Sequence, residues 1–342
     1  METKTQPIIF NKSFDLIFIK FPIVFPILYG VFLFSFPSYE NILIFVTLLI
    51  FAEPHFGATW PLFLNKENFS EIKSKKIRYI YMPLLIIFLC LVSFFYANAL
   101  FLLIFFAVNM FHVTRQSYGI CKLYKNSENE LFYQEKVIYL TNIIFFTIGI
   151  LRFYIPIINE DNIFIINMFI LFSLLTIFLI YFLKFKNTEN FLTFVTGCII
   201  FYPICFVDKP IHGIVMGVLM HYTQYISLTY KVYNGRNLKK LEKQVDNIKL
   251  FSAKNLYFLM VILFYGFVMA VLSTFSSFGY ETLKYLIVVP LTGQFLHFYL
   301  DAFLWKFNEK HNRDNTLKHL YNCMATINLI VSNRSNWPFM ER

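Results

Sequence analysis

Ten apolar stretches divide the chain, each set off from the next by a short polar or charged segment. They cover residues 14–36, 41–64, 78–97, 99–120, 137–156, 163–183, 191–207, 211–232, 255–276 and 284–306. Most hold about 20 residues, the length at which an α-helix crosses about 30 Å of hydrocarbon. The stretches 78–97 and 99–120 meet at Asn98, which predicts a very short turn, and 191–207 is short and interrupted by Pro203. The pattern predicts an all-α, polytopic transmembrane helical bundle of about ten helices.

Charge tests that count independently. With the N-terminus inside, the segments 1–13, 65–78, 115–136, 184–190, 231–254 and 306–342 face the cytoplasm and hold 26 of the 30 Lys and Arg. Only Arg152, Lys209 and Lys284 fall in outer loops, and Lys20 sits near the start of the first helix, where it can snorkel. Cytoplasmic loops of membrane proteins carry such an excess of basic residues. Both termini are therefore expected in the cytoplasm, with 1–307 a transmembrane helical domain and 308–342 a cytoplasmic tail. The basic loop 233–254 reads equally as an amphipathic helix on the inner leaflet or as a solvated linker. No repeat of fixed period and no low-complexity tract is present.

Composition sharpens this reading. The chain is 58% hydrophobic and 15% charged, against about 45–50% and about 25% in ordinary soluble proteins. A net charge of +10 would suit nucleic acid, but the basic residues are dispersed among loops, so no nucleic-acid partner is expected and the lipid bilayer takes that place. Cys90, Cys121, Cys198, Cys205 and Cys323 form no CxxC pair and read as buried free thiols. The first apolar stretch starts late and has no small-residue cleavage site after it, so no cleavable signal peptide is expected.

Candidate chemistry lies in the histidines. His311 and His319 fall in the tail and are expected to be solvated; His212 lies at the outer end of its helix and reads as interfacial. His55, His112, His221 and His297 fall inside four different spans that all run inward. Each precedes its inner end by 8–11 residues, which places all four about 12–17 Å from the cytoplasmic end of its helix. Ionisable groups at such depth are costly and usually functional, and imidazole is the commonest metal ligand. The layer therefore reads as a shared metal or haem site, against separate packing or proton-relay roles. Second-sphere candidates share helix faces with them at i+3 and i+4: Gln116 with His112, Gln224 and Tyr225 with His221, Asp301 with His297 and Thr59 with His55. Glu53 is a rare intramembrane carboxylate, about 200° around the helix from His55. Glu53, Gln116, Gln224, Tyr225 and Asp301 are thus candidate catalytic or supporting residues, with interhelical hydrogen bonding the other reading of the two glutamines. Phe56, Trp60, Phe111, Tyr118, Tyr222, Tyr225, Phe298, Tyr299 and Trp305 crowd these segments, and read either as walls of an apolar substrate tunnel or as packing and lipid-facing groups.

The spacing also excludes. The histidine boxes of membrane desaturases, the HExxH zinc motif, the Walker loop and the GxSxG elbow are all absent. What remains are single histidines on separate helices, in EPHFGATW (53–60), FHVTRQSYG (111–119), MHYTQY (220–225) and LHFYLDAFLWKF (296–307). These segments resemble those of the Brp/Blh family, the bacterial and archaeal membrane β-carotene 15,15′-dioxygenases. The resemblance covers about a tenth of the chain. It implies a bacterial inner membrane protein and non-haem Fe(II) held by His55, His112, His221 and His297. It also implies O₂-dependent cleavage of a long apolar isoprenoid or carotenoid substrate. Two other classes stay open: a b-type haem protein in quinone-linked redox chemistry, and a proton- or metal-coupled transporter.

Overall fold

The computed structural model describes residues 8–124, 127–186, 188–238, 253–276 and 283–321. Among these the regular structure is helical throughout, with no strand. The helices that organise it are α1 (Lys12–Lys20) and α2 (Val24–Ser35), α3 (Pro37–Phe63), α4 (Lys66–Ser74), α5 (Ile77–Tyr96), α6 (Asn98–Leu123), α7 (Glu128–Tyr154), α8 (Asn162–Phe185), α9 (Asn190–Ile199), α10 (Pro210–Leu238), α11 (Leu256–Phe275), α12 (Leu283–Leu304) and α13 (Lys310–Asn315).

Among the described residues, seven helices (α3, α5 to α8, α11 and α12) are long and apolar enough to cross a membrane. The pair α1 and α2, bent by 54°, makes an eighth if it is one span. Two of the ten expected spans differ. The stretch 191–207 forms the short α9 followed by a 3₁₀ turn over Tyr202–Cys205; Pro203 has no N–H to continue an α-helical ladder. The stretch 211–232 lies in α10, which has 29 residues and ample length. It falls outside the apolar set because it carries His212, His221, Thr223, Gln224, Ser227 and Thr229, all of them buried. Exposed apolar stripes elsewhere recur at helical spacing: Ile165, Phe169, Phe172, Leu179 and Leu183 on α8, and Leu84, Phe88 and Phe95 on α5. Phe169 is 71% exposed and Phe172 70%. Several long apolar helices with such faces are compatible with an integral membrane protein.

The chain forms two compact units, each assembled from separate stretches of sequence. Among the described residues, the first comprises those within 12–43 and 106–224, and the second those within 8–11, 44–105 and 225–321. In the first unit, buried polar groups are tied across helices. Tyr181 donates to Glu130 Oε1 at 2.5 Å and accepts from Gln134 at 2.7 Å, while Asn190 donates to Glu130 Oε2 at 3.2 Å. Asn142 donates to the Gly197 carbonyl at 3.1 Å. His212, near the start of α10, is 3% exposed, with Nδ1 2.6 Å from the Tyr29 hydroxyl and Nε2 3.1 Å from Glu40 Oε1. Cys121, Cys198 and Cys205 of this unit, and Cys90 of the second, are buried free thiols, as expected; Cys323 lies outside the described residues.

In the second unit, the beginning of the expected tail is packed rather than solvated. Residues 322–342 of that tail, and 239–252 of the basic loop, lie outside the described residues. His319 is 9% exposed, and His311 Nε2 is 2.7 Å from Asn68 Oδ1. Glu309 accepts from Lys75 at 3.1 Å and from Arg78 at 3.0 Å. Burial acts to raise the Glu309 carboxyl, but Lys75 and Arg78 outweigh it and hold the group below the ordinary carboxylate range. A further tie in this region is Arg236, 4% exposed near the end of α10. It donates to the carbonyls of Asn315 at 2.6 Å and Leu62 at 2.9 Å, and to the Thr316 hydroxyl at 3.1 Å. A buried acceptor left unmade costs about 1–3 kcal/mol. Arg236→Met is therefore expected to lower the thermal midpoint in detergent by several degrees. Arg236→Lys is expected to recover little, because an ammonium cannot reproduce the planar fork. Equal midpoints for all three proteins would refute this account of the packing.

Candidate metal centre

The second unit builds its site around an interruption in α3. Pro54 removes a backbone donor, and the turn ahead of it widens to a π-helix over Leu48–Ala52. Regular α-helix resumes at Glu53–Gly57, pauses at Ala58 and continues over Thr59–Phe63. The interruption is held from α11. A Cβ on Gly266 would stand 2.7 Å from Pro54 Cγ, and one on Gly57 would stand 2.9 Å from the Tyr265 ring. Both glycines thus permit a close approach that any side chain would oppose.

This backbone places His55 and Thr59 against α12 and the start of the α10 segment in the same unit. The His55 and His297 ring centres lie 4.4 Å apart with planes at 67°, and the Tyr225 ring stands 4.8 Å from the first and 5.1 Å from the second. Thr59 Oγ1 lies 2.6 Å from His297 Nδ1 and 2.8 Å from the Tyr225 hydroxyl. Tyr225 donates to Asp301 Oδ1 at 2.5 Å, and Thr59 reaches the same oxygen at 3.4 Å. His297 Nε2 is 3.8 Å from Asp301 Oδ2, too far for a hydrogen bond. All five side chains are at most 3% exposed. Phe56 and Phe298 close over the imidazole, with ring centres 5.1 and 5.7 Å from that of His297.

In the first unit His112 (α6) and His221 (α10) form the other pair. Their ring centres are 5.5 Å apart and their planes stand at 89°. Both are buried, at 7% and 1% exposure. Metal–nitrogen bonds of about 2.1 Å, at angles of about 90–120°, put the centres of two coordinated imidazoles about 4.5–5.5 Å apart. The His112–His221 separation suits two imidazoles on one ion, that of His55 and His297 falls just short of it, and each is equally an edge-to-face ring contact. The donors are imidazole nitrogens and a carboxylate, a set that suits Zn, Cu, Fe or Ni.

The second-sphere candidates divide. Asp301 and Tyr225 belong to the His297 network. Glu53 turns elsewhere: its Oε1 accepts from Gln294 at 3.2 Å, and its Oε2 has no hydrogen-bond partner among the described residues. Gln224 donates to the Ile19 carbonyl at 2.7 Å, an interhelical bond, which is the second of its two readings. Gln116 is half-buried on α6. Of the aromatic residues, Phe111 is exposed, whereas Phe56, Tyr222, Tyr225 and Phe298 are buried. Thr59 is the residue whose role the sequence obscured. Its i+4 spacing pointed to His55, whereas its hydroxyl meets His297.

Compared with known proteins, the chain matches no family model, no curated relative and no solved structure.

Proposed function

We propose that this chain is an integral-membrane, non-haem iron oxygenase that acts on a long apolar substrate of the isoprenoid or carotenoid class. Its iron ligands are drawn from His55, His112, His221 and His297. The observation that carries this reading is the His297 network. A buried imidazole is anchored through Thr59 and Tyr225 to an equally buried carboxylate, with a second imidazole beside it. Metal-bound histidines are commonly backed by a carboxylate in this way, which fixes the ring and raises its basicity. Iron bound by these histidines would supply the redox chemistry with O₂. The chain itself orients the imidazoles and excludes water with Phe56 and Phe298, and its apolar helices let substrate and O₂ partition to it from lipid. The excess of basic residues in alternate loops supports cytoplasmic termini, and the resemblance to Brp/Blh enzymes favours a bacterial inner membrane.

The test is metal analysis and a visible spectrum on protein purified in detergent with iron supplied, followed by O₂ uptake with polyene substrates. Stoichiometric iron, no Soret band and polyene-dependent O₂ uptake are expected. A Soret band would replace this reading with a haem protein. No metal at all would leave the histidines as relay or packing groups.

A further inference from the structure

We infer that the exposed face of α4 is a binding surface for anionic phospholipid headgroups, with Phe69 set in the acyl boundary and Lys66, Lys73 and Lys76 on the phosphates. The inference goes beyond the oxygenase reading. It rests on that reading only in taking α3 and α5 as membrane spans.

Two short links fix where α4 can lie. α3 ends at Phe63, α4 covers Lys66–Ser74 and α5 begins at Ile77. Three residue steps on each side keep both ends of α4 within about 11 Å of the ends of the two long apolar helices. Where α3 and α5 cross a bilayer, α4 therefore lies at its surface. Its inward face is set by packing within the second unit. Asn68, 5% exposed, donates to the carbonyls of Leu62 at 2.7 Å and Phe63 at 3.2 Å. Ile72 packs against the cluster of Phe63, Leu300 and Leu304.

The opposite face carries a different chemistry. Lys66 and Lys73 stand about 140–160° around α4 from Asn68, and Phe69 about 100° on the same side. Both lysines are exposed, and Phe69 is 47% exposed between them. The glutamates of α4 fall on the other flank, where Glu71 pairs with Lys75 at 2.5 Å. Exposed Leu64, Lys76 and Ile77 continue the apolar and basic pattern at the two ends. Lys75 and Arg78 are matched by Glu309, whereas Lys66, Lys73 and Lys76 meet no carboxylate among the described residues. An exposed phenyl ring between unmatched lysines suits an acyl layer beneath negatively charged headgroups. The ring gains burial, and the lysine stems lie along apolar surface while their ammonium groups reach the phosphates. Water serves the lysines and not the ring; a neutral lipid serves the ring and not the lysines.

Full-length protein in phosphatidylcholine vesicles that hold a minor share of phosphatidylglycerol tests this, with bromine on the acyl chains of one lipid or the other as the quencher. The reporter is Phe69→Trp, read as fluorescence in excess of the wild type, which has three tryptophans. Per brominated molecule, phosphatidylglycerol is expected to quench at least about fivefold more than phosphatidylcholine, since one basic residue near an anionic leaflet contributes about 1 kcal/mol. The preference is expected to vanish at about 1 M salt, where charges are screened within about 3 Å. It is also expected to vanish when Phe69→Trp is combined with Lys66→Gln, Lys73→Gln and Lys76→Gln, while quenching by both lipids persists. Equal quenching by the two lipids at low salt would overturn the headgroup assignment. No quenching by either would overturn the surface altogether and leave this face to protein or water. Wild-type protein that alkaline carbonate strips from its host membranes would instead overturn the membrane reading itself.

Discussion

Protein carrying His221→Ala, purified with iron supplied, is expected to lose its bound iron, and so is His297→Ala. Removing a ligand takes away a metal–nitrogen bond outright. The loss should therefore exceed the about 10–100-fold penalty for removing an outer partner. His311→Ala is the control, because that imidazole is engaged with Asn68 rather than with the other rings. It should retain wild-type iron. Far-UV circular dichroism separates loss of metal from loss of fold: the three variants should keep the wild-type helical signal. Wild-type iron in both His221→Ala and His297→Ala would sink the assignment of these histidines as ligands.

The second large effect is on stability, at Gly217. This residue lies in α10, and a Cβ built there stands only 1.8 Å from the Ile200 carbonyl oxygen and 2.9 Å from its carbon. The obstacle is backbone, just ahead of the 3₁₀ turn over Tyr202–Cys205, so no rotamer change relieves it. Overpacking a close-packed interior typically costs about 1–3 kcal/mol and more where backbone must move. Gly217→Ala is expected at or above that upper end, with a sharply lowered thermal midpoint or loss of monodisperse protein in detergent. Gly119→Ala is the matched comparison. A Cβ there meets nothing within 4 Å, and Ala favours helix over Gly by about 1 kcal/mol. It should be neutral or stabilising. Equal midpoints for the two variants would show that α10 and the Ile200 carbonyl do not approach as described.

The two stability predictions and the iron prediction rest on different kinds of information. The apolar stretches, and with them the helical class, follow from the sequence because burial of apolar surface is a property of composition summed over about 20 residues. The same holds for the basic loops and for the place of His55, His112, His221 and His297 within helices, which follows from counting residues along the apolar stretches. The nearness of Asp301 to His297 was also visible, as an i+4 spacing on one helix.

What one helix cannot show is the partner a side chain finds on another. The i+4 rule placed Thr59 with His55 and Tyr225 with His221, yet the hydroxyls of Thr59 and Tyr225 join His297 to Asp301. Gln224 found a carbonyl at Ile19, and Glu53 found Gln294. His319 and His311 packed in the second unit although their polar surroundings in sequence suggested water. Hydrogen bonds are short and directional, so they depend on ångström-scale placement of residues far apart in the chain. The sequence by itself therefore determined the helical class, most of the apolar spans and the four histidines that fall within helices. Only the tertiary structure decided which hydroxyl faces which imidazole, because that register is set by close approaches such as Gly57 on Tyr265 and Gly266 on Pro54.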